Sequence, residues 1–519
     1  MQRKSEGQQK TCNGSITLFL ALTLTIIFSL VFSLLEASRV QALARISQRS
    51  LQLRMESMFG GYHIPMWENY HMLFLDGNDE NGQLNLAALE GIMMEEAALE
   101  QKEKGFYQIA WKNVEIEKYA LATDQKGKPF REQACRAMKE QLAEYAAETM
   151  RGILKQGEEL EKDSREAEEK WKLAQEAAEE AKKAAEAAEE AAEAAGVEEK
   201  NTSAGAGGSN TSTQTAEGAP QGKALPENPM DFVSLWKRSP VLTLVVENPS
   251  GISGKGISLK DSIQNRKKEA GNLVKESGET LEKLWLLQYL NTYFSCQSGA
   301  GSGGGASHAL DYELEYCIGG KDTDARNLEQ VANRLLLLRE AGNFATIMKD
   351  SGKQALALEM ASAAVGFTGI PPLIQAVQIG ILLAWSYMES VLDVRCLLAG
   401  GKVPLIKETS EWQSDVSLGQ KALDKSGGQQ EERGLDYREY LQILMLTVRE
   451  DTLVCRAMDV MEQNIRLLPG EEKFSMDHMI QGIEAGAVSA AESMFLSLIT
   501  TVKERDGIYH FDSRYPLFY

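Results

Sequence analysis

The chain has 519 residues, 43% of them hydrophobic, and a net charge of −20 at pH 7. This length predicts roughly two to four domains, or one large domain with insertions. The acidic balance argues against nucleic-acid binding, because a phosphate-binding surface needs an excess of lysine and arginine. The six cysteines show neither CxxC pairs nor a regular disulfide spacing. Cys296 and Cys317 could pair, but isolated buried thiols are the preferred interpretation.

Residues 15–35 form an uncharged apolar run near the N-terminus. As one helix, a run of this length crosses the hydrocarbon core of a bilayer, which is about 30 Å thick. Three basic side chains precede it, Arg3, Lys4 and Lys10. The positive-inside rule therefore predicts a cytoplasmic N-terminus and an extracytoplasmic body. The run is too long for a secretory signal, which favours an uncleaved single-pass anchor in the cell membrane.

A pilin-like subunit is a more specific alternative for the same segment. Gly14 stands directly before the apolar run, and the helical pattern continues into polar sequence after it. Pilin-like subunits share this layout of a basic leader, a glycine at the cleavage site and a helix that begins apolar and becomes amphipathic. Phe19 occupies the position where pilins usually place a glutamate. Cleavage after Gly14 therefore stays open on sequence grounds, and an ordinary anchor remains the alternative.

Helical and extended patterns follow the anchor. Residues 36–58 continue the helical pattern, and we expect this juxtamembrane helix to rest on the following domain. Residues 62–77 are rich in aromatics and predict extended chain. Residues 84–102 have helical spacing, residues 109–122 alternate like a strand, and a helix is expected from about Phe130.

An acidic loop at residues 76–82 resembles the start of a calcium-binding loop. The calcium pattern needs glycine at its sixth position and glutamate at its twelfth, where the chain has Asn81 and Ala87. We therefore expect an acidic turn and no metal site. His63 and His71 lie nearby in sequence without a spaced carboxylate, which favours packing or surface roles.

Residues 157–200 consist almost entirely of Glu, Ala and Lys. Alanine recurs with heptad spacing, and oppositely charged side chains stand four residues apart, so a charged helical arm is expected. Alanine seams bury little apolar area, which favours a solvated arm over a dimer seam. Residues 201–229 are a flexible low-complexity linker. Arm and linker together form an insertion between globular segments.

The second half of the chain predicts a helix-rich body. Strands are expected at residues 240–247 and 310–318, and a further strand is expected to begin within residues 474–497. Helical spacing returns from about Gly271 and leads into a strongly apolar stretch at residues 284–294. Further helices are expected from a cap at Asp322 or Thr323 to about Lys349, and at residues 436–448 and 452–466. The aromatic tail, residues 509–519, is expected to dock against the sheet.

A second uncharged run, residues 360–388, is the main challenge to a single-pass topology. A proline pair and two glutamines interrupt it. These features favour a helix buried at the centre of the domain over a second membrane span. Glu389, Asp393 and Arg395 are expected on one face of its continuation.

The sequence contains no recognisable catalytic, nucleotide-binding or metal-binding motif. The most function-like polar cluster comprises Asp322, Asp324 and Arg326, and helix capping explains it without a ligand. No catalytic, cofactor-binding or metal-binding residue is assigned, and no cofactor is expected. The scattered histidines do not change this interpretation: His63, His71, His308, His478 and His510.

Six stretches carry a family resemblance: NGSITLFLALTLTIIFSLVFSLLEASRVQ, YHMLFLDG, LDYELEYCIGGKDTDARNLEQVANRLLLLREAGN, AWSYMESVLDVRCLLAGGKVPLIK, DYREYLQILMLTVRE and RAMDVMEQNIR. Together they resemble a family of membrane-anchored proteins of anaerobic Gram-positive bacteria. Its members are similar to TadE/TadG-type pseudopilin-like components of tight-adherence (Tad/Flp) pilus systems. The resemblance implies a membrane-tethered, extracytoplasmic role in pilus assembly, secretion or adhesion, and it carries over no functional residue.

The expected architecture is an α+β extracytoplasmic domain, helix-rich with a small mixed or antiparallel sheet, on a single N-terminal transmembrane helix. A Glu/Ala helical arm is inserted into the domain. The expected segments are a cytoplasmic leader at 1–14, the anchor at 15–35, a juxtamembrane helix at 36–58, two parts of the domain at 59–156 and 230–519, the arm at 157–200 and the linker at 201–229.

The expected function is non-enzymatic, as a structural or assembly component associated with a Tad-type pilus or secretion system. The alternatives are a cell-surface binding or adhesion module that projects the arm toward a partner, and an extracytoplasmic enzyme. The expected partners are the lipid bilayer, through residues 15–35, and other pilus or secretion-system membrane proteins. Self-association through the anchor helix or the charged arm is a further expectation, and nucleic acid is not a partner.

Overall fold

A computed structural model of the protein describes residues 13–79, 81–100, 105–141, 229–246, 248–274, 283–299, 301, 307–366, 369–414, 433–495, 504–505 and 507–519, with scattered positions between 151 and 183. The chain divides into two compact units. Unit 1 comprises Met1–Gln133, Lys267–Thr280 and Leu468–Tyr519, and unit 2 comprises Ala134–Arg266 and Leu281–Leu467.

Unit 1 is built on one long helix, α1 (Asn13–Gly60). The first part of α1 is apolar and exposed, and only 6% of its most apolar window is buried. From Val40 the buried positions recur every three or four residues, through Leu43, Ser47 and Leu51. The second part of α1 therefore packs along one face, which confirms the predicted helix that rests on the domain.

A small antiparallel sheet receives this face of α1. Its strands are β1 (Leu75–Asp76), β2 (Ala110–Leu121), β3 (Met479–Glu492), β4 (Glu504–Arg505) and β5 (Ile508–Phe518). The central strand is β3, which pairs with β2 on one side and, at successive positions, with β1 and β5 on the other, and β4 extends the sheet beyond β5. The predicted strands near residues 109–122 and 474–497 are confirmed. The tail, expected to dock against the sheet, is itself a strand of it.

Three serines mark the place where α1 crosses the centre of the sheet. The Ser47 hydroxyl lies 2.7 Å from the Ser489 hydroxyl and 2.9 Å from the Ser513 hydroxyl, and all three residues are buried. Paired hydroxyls carry little desolvation cost, and their small size allows helix and strands to approach closely. Apolar contacts lie on both sides of this point along α1.

Residues 62–77, predicted to be extended, instead form a helix followed by a short strand. Helix α2 (Ile64–Tyr70) begins at His63, whose Nδ1 accepts a hydrogen bond from the Met66 amide at 3.2 Å. His71 ends it in the left-handed region, with φ of 52°. The prediction was wrong because the cap is a histidine, which the usual N-cap residues do not include.

Two more helices of the first part of the chain agree with prediction. Helix α3 (Leu86–Glu100) falls within the expected residues 84–102. Helix α4 (Asp124–Gln141) contains a turn of positive φ at Gln125–Gly127, after which regular helix continues through Phe130.

The described part of unit 2 is helical. After α4, its helices are α5 (Pro229–Arg238), α6 (Val241–Val245), α7 (Lys283–Tyr293), α8 (Glu313–Gly319), α9 (Asp324–Ile347), α10 (Ser351–Val365), α11 (Pro371–Leu398), α12 (Tyr437–Thr447) and α13 (Glu450–Arg466). Helix α11 packs against both α9 and α10. The helices predicted at residues 284–294, 436–448 and 452–466 and after Thr323 are confirmed. The start of helical pattern expected at about Gly271 is wrong, because residues 271–274 form no regular secondary structure.

The two strands predicted in unit 2 are wrong, because both segments are helices. In residues 310–318 the apolar side chains alternate, but Glu313 and Glu315 between them are buried as well. Both sets of side chains are buried, so the alternation does not separate a buried face from a solvent-exposed one. In this segment alternating hydrophobicity therefore does not indicate a strand. In residues 240–247, Val241 and Val245 are buried one helical turn apart.

The second uncharged run forms parts of two helices and not a membrane span. Helix α10 ends at Val365, and α11 starts at Pro371 after a turn in which Gly369 has φ of +63°. Helix α11 is buried on nearly all sides from Gly380 onward. Among the described helices, α1 is the one long and apolar enough to cross a membrane. The prediction of a buried core helix is confirmed.

The predicted leader, arm and linker lie outside the described residues, apart from Asn13 and Gly14, which begin α1, Pro229, which begins α5, and scattered positions of the arm.

A matched pair of substitutions tests the packing of α1. Leu51→Ala should lower the free energy of unfolding of unit 1 by about 2–5 kcal/mol, because the buried side chain leaves a cavity. Leu53→Ala on the same helix, at a side chain 52% exposed, should change it by less than about 0.5 kcal/mol. Hydrogen exchange of the β3 amides in the detergent-solubilised chain measures both. Equal effects of the two substitutions would contradict this packing.

Candidate functional site

The junction between the apolar part of α1 and unit 1 is a buried ion pair. Glu36 and Arg39, one helical turn apart, are 0% and 4% exposed, and Glu36 Oε1 lies 3.1 Å from Arg39 Nη1. Arg39 also donates to the carbonyl oxygens of Phe106, at 2.9 Å, and Glu492, at 3.0 Å. The Met494 amide donates to Glu36 Oε1 at 3.2 Å. The first charges after the apolar run therefore tie α1 to two loops of unit 1.

This pair fixes the position at which α1 leaves the body. A buried ion pair contributes little net stability, but the loss of one partner leaves an uncompensated charge and is costly. Directly after it, Val40 and Leu43 pack with Ala491, Tyr509 and Phe511. The apolar run and the packed part of α1 therefore form one continuous element, joined without a hinge residue.

A second buried charge network lies at the centre of unit 2. Arg339 on α9 donates to Asp393 on α11 through Nε and Nη2, at 3.0 and 2.9 Å. Lys407 lies 2.7 Å from Glu389 and 3.1 Å from Asp393. Asn343 donates to Asp393 at 2.9 Å. All of these side chains are buried, and each ionic group has an opposite charge beside it.

The network is saturated by protein groups. Arg339 also donates to the carbonyl oxygens of Pro404 and Leu405, and Glu389 accepts hydrogen bonds from the amides of Gln413 and Ser414. The cavity beside it measures about 10 Å³. That volume holds about one water molecule, so the network can fix helices and a loop but has no room for a substrate.

The ionised forms are favoured inside this network. Burial opposes ionisation of Asp393, but Arg339 and Lys407 outweigh it and hold the pKa of Asp393 below its usual value. Burial likewise opposes the charge on Lys407, and Asp393 and Glu389 overcome it and raise the pKa of that amine. The groups therefore stay charged at neutral pH.

A third polar cluster surrounds the short helix α8, where carboxylates hold neighbouring loops. Glu313 accepts hydrogen bonds from the Ser295 amide at 2.7 Å and from Asn464 at 2.6 Å. Glu315 Oε1 accepts from the Gln297 amide at 2.9 Å and from the Tyr437 hydroxyl at 2.8 Å. Glu315 Oε2 is buried and has no hydrogen-bond partner among the described residues.

Burial dominates the acid–base properties of this cluster. It raises the pKa of Glu315 to about 7, although the hydrogen bonds from Gln297 and Tyr437 oppose the change. It also raises the pKa of Asp459, which accepts from the Ile263 amide and the Tyr316 hydroxyl, to about 6. Burial raises the pKa of the Cys296 thiol to about 11, so this cysteine is not a thiolate nucleophile at neutral pH.

The function-like cluster predicted at Asp322, Asp324 and Arg326 is divided between two roles. Asp322 and Arg326 form an exposed pair at 2.9 Å. Asp324 is buried and accepts from the Ser253 hydroxyl at 2.7 Å and the Asp311 amide at 2.9 Å. The N-cap of α9 is Thr323, whose side chain makes no capping hydrogen bond. The predicted cap is therefore right in place but not in mechanism.

The other residues singled out in the sequence, in the acidic loop and at His63, form hydrogen bonds with neighbouring protein groups. In the acidic loop, the Asp76 carboxylate accepts from the Asn78 amide, and that of Asp79 accepts from the amides of Asn81 and Gln83, each at 2.8 Å. His63 does have a carboxylate neighbour, Glu471 at 3.2 Å, which sequence spacing could not reveal. Within the described ranges, no group of three or more His, Cys, Asp or Glu is placed to hold a metal ion.

Two further predictions are settled by side-chain positions. Cys296 and Cys317 are buried thiols and do not pair with each other. Glu389 and Asp393 share one face of α11, as expected, but Arg395 does not. Its Nε donates to the Leu244 carbonyl at 2.6 Å. Residues 389 and 395 are six apart, and at 3.6 residues per turn they lie on different sides of a helix.

Comparison with known families places this chain. A model of a family of unknown function, DUF5702, matches residues 220–491, just over half of the chain. The chain is a DUF5702 protein. No curated protein and no solved structure matches it. In the DUF5702 chain the matched range contains the network of Arg339 and Asp393, the α8 cluster and strand β3. Helix α1, β2 and β5 lie outside it.

The main charge network of the DUF5702 chain was missed by sequence reasoning. Arg339 follows four leucines in α9, and Glu389 and Asp393 stand within the apolar α11. A charge inside an otherwise apolar helix must find a partner, which is a signal that could have paired α9 with α11. Lys407 gave no such signal, because it lies in a segment without regular secondary structure.

Substitution of two aspartates, one in the buried network and one in an exposed ion pair, compares the contributions of the two pairs to stability. Asp393→Asn should lower the free energy of unfolding of unit 2 by about 3–5 kcal/mol, because Arg339 and Lys407 lose their shared counter-charge inside the protein. The matched change Asp322→Asn removes an exposed pair with Arg326 and should leave stability essentially unchanged. Differential scanning calorimetry of both variants provides the comparison. Similar losses would contradict the buried network.

The α8 cluster predicts a pH dependence of stability. The folded protein binds the Glu315 proton more tightly than the unfolded chain does, where the carboxyl titrates near 4.5. The free energy of unfolding should therefore fall as the pH rises from about 4.5 to about 7. Glu315→Gln, which cannot ionise, should reduce this slope in urea titrations of unit 2. An unchanged slope would show that Glu315 is not its source.

Proposed function

We propose that this DUF5702 chain is a single-pass membrane protein with a non-enzymatic, structural or assembly role. The observation that carries the proposal is the contrast within α1. Its first part exposes a continuous apolar surface, and its second part is buried in unit 1. Each large apolar side chain left in water costs about 1.5–3 kcal/mol relative to burial. A lipid bilayer removes this cost for the whole apolar run.

The dimensions of the run support lipid as its environment. Residues 15–35, at 1.5 Å per residue, span about 31 Å, close to the thickness of the hydrocarbon core. Large apolar side chains are exposed all around this part of the helix, including Ile16, Leu18, Leu24 and Ile26. A helix that packed against one protein partner would need only one apolar stripe.

The proposed topology has a cytoplasmic N-terminus and an extracytoplasmic body. Its support is the basic leader, in which Arg3, Lys4 and Lys10 precede the run. Arg39 follows the run but is buried with Glu36, so it contributes little to the opposite bias.

We extend the proposal to association with a Tad-type pilus or secretion system. The support is the resemblance of the quoted stretches to TadE/TadG-type pseudopilin-like proteins, together with the layout of α1. This helix begins apolar and becomes amphipathic at Val40 without a break. Other membrane proteins of such a system are the proposed partners. The saturation of the Arg339–Asp393 network by protein groups favours a structural role over catalysis.

Membrane fractionation tests the anchor. Leu24→Arg combined with Ile27→Arg should release the chain from carbonate-washed membranes, because each central arginine costs about 2.5–3.5 kcal/mol. Ile46→Arg, at a partly exposed position of the packed part of α1, should leave the chain in the membrane fraction. Recovery of the unaltered chain in the soluble fraction would overturn the proposal.

Two readouts on the same cells test topology and partners. Protease treatment of intact cells should release peptides from unit 1 and unit 2 if the body is extracytoplasmic.

Affinity purification from detergent-solubilised membranes should recover pilus or secretion-system membrane proteins with the unaltered chain. Purification of the chain without them would contradict the Tad association and leave the anchor intact.

A further inference from the structure

A series of aromatic rings joins the apolar part of α1 to two loops of unit 1. Phe28 and Phe32 on α1 have ring centroids 6.3 Å apart, and Phe32 stacks on Phe495 at 5.5 Å with an interplanar angle of 3°. The Phe495 ring lies 6.3 Å from that of Phe106, which contacts Tyr107 edge-on at 4.9 Å. The series therefore runs from the membrane-facing helix outward over the body.

The outer members of this series are exposed although they are apolar or aromatic. Phe106, Tyr107 and the adjacent Met494 are 40%, 51% and 55% exposed. They come from two loops, one before β2 and one after β3, and both loops are held to α1 by the Glu36–Arg39 pair. Aromatic side chains are enriched where a protein meets the boundary between lipid and water. We call Phe106, Tyr107, Met494 and Phe495 the aromatic collar.

The position of the collar along α1 determines its depth in the proposed bilayer. Phe32 lies three residues before the end of the apolar run, which is about 4.5 Å along the helix axis. Because the run only just matches the thickness of the hydrocarbon core, its last turn must lie at the edge of that core. The Phe495 ring, stacked on Phe32, then lies at the same level, within the boundary between acyl chains and headgroups.

Charged groups begin immediately below the collar. An open groove of about 490 Å³ lies beside it, and its walls include Arg39, Gln108, Lys112 and Glu492. The order along the axis is therefore apolar run, aromatic collar and charged groove. The same order of polarity is found on crossing from hydrocarbon through the interface into water.

We propose that the aromatic collar inserts into the interfacial layer of a lipid bilayer and holds unit 1 directly against the membrane surface. The inference rests on the proposed membrane anchor and adds a second, peripheral contact to it. Its consequence is that unit 1 is not free to swing on α1. The helix, the collar loops and the Glu36–Arg39 pair form one rigid attachment at the membrane.

Spin labels at single cysteines test the collar in the full chain. The background is Cys12→Ser, since the described native cysteines are buried. Labels are placed at Tyr107→Cys and Met494→Cys in the collar, at Ile26→Cys as a reporter of the anchor, and at Leu53→Cys as a matched control. Leu53 is exposed on the same helix about 27 Å beyond the apolar run. The chain is reconstituted in phosphatidylcholine–phosphatidylglycerol vesicles.

Collision with oxygen, which partitions into lipid, is compared with collision with a water-soluble nickel chelate. We expect the ratio of oxygen to nickel accessibility to be several-fold higher at positions 107 and 494 than at position 53. A lipid-like label at position 26 with water-like labels at 107 and 494 would overturn the collar and leave the anchor intact. Labels at 107 and 494 shielded from both reagents would mean that protein covers the collar, which also overturns the inference. A water-like label at position 26 would overturn the anchor itself.

Discussion

The change of environment along α1 is the constraint on which unit 1 depends. One uninterrupted helix exposes apolar side chains before Glu36 and buries a stripe of them after Arg39. The ion pair between these two residues lies at the point of change, and both of its charges are buried within unit 1. Arg39 donates to the carbonyl of Phe106 and the Met494 amide donates to Glu36, which brings the loops before β2 and after β3 to the same level. The proposed anchor and the proposed collar both follow from this arrangement.

Unit 2 uses buried charge differently. Two long helices and a loop are connected by Arg339, Asp393, Glu389 and Lys407, and the cavity beside these described residues holds about one water molecule. Such a network adds little net stability compared with apolar packing, but it penalises any arrangement that leaves one member unpaired. The matched DUF5702 range includes this network and the carboxylates of α8. The groups of these two clusters hold helices and loops in place, which is the basis for the proposed structural role.

Periodicity predicted long helices well and short elements poorly. Helices such as α9 and α13 were recognised because their apolar side chains recur over several turns. The segment at α8 was predicted as a strand because alternation over nine residues coincided with burial of the polar positions between the apolar ones. The segment at α2 was missed because a histidine, and not a usual N-cap residue, starts it. Both errors come from short segments, in which tertiary burial overrides local preference.

The sequence by itself determined that the first apolar run suits a bilayer, that the second suits a protein core, and which long segments are helical. These are properties of composition and spacing, which need no knowledge of distant residues. Only the tertiary structure decided that the C-terminal tail is a strand of the sheet, that Arg339 meets Asp393, and that Phe106 and Phe495 meet beside α1. These contacts join residues tens to hundreds of positions apart, and their energies depend on burial and partner geometry, which no local pattern encodes.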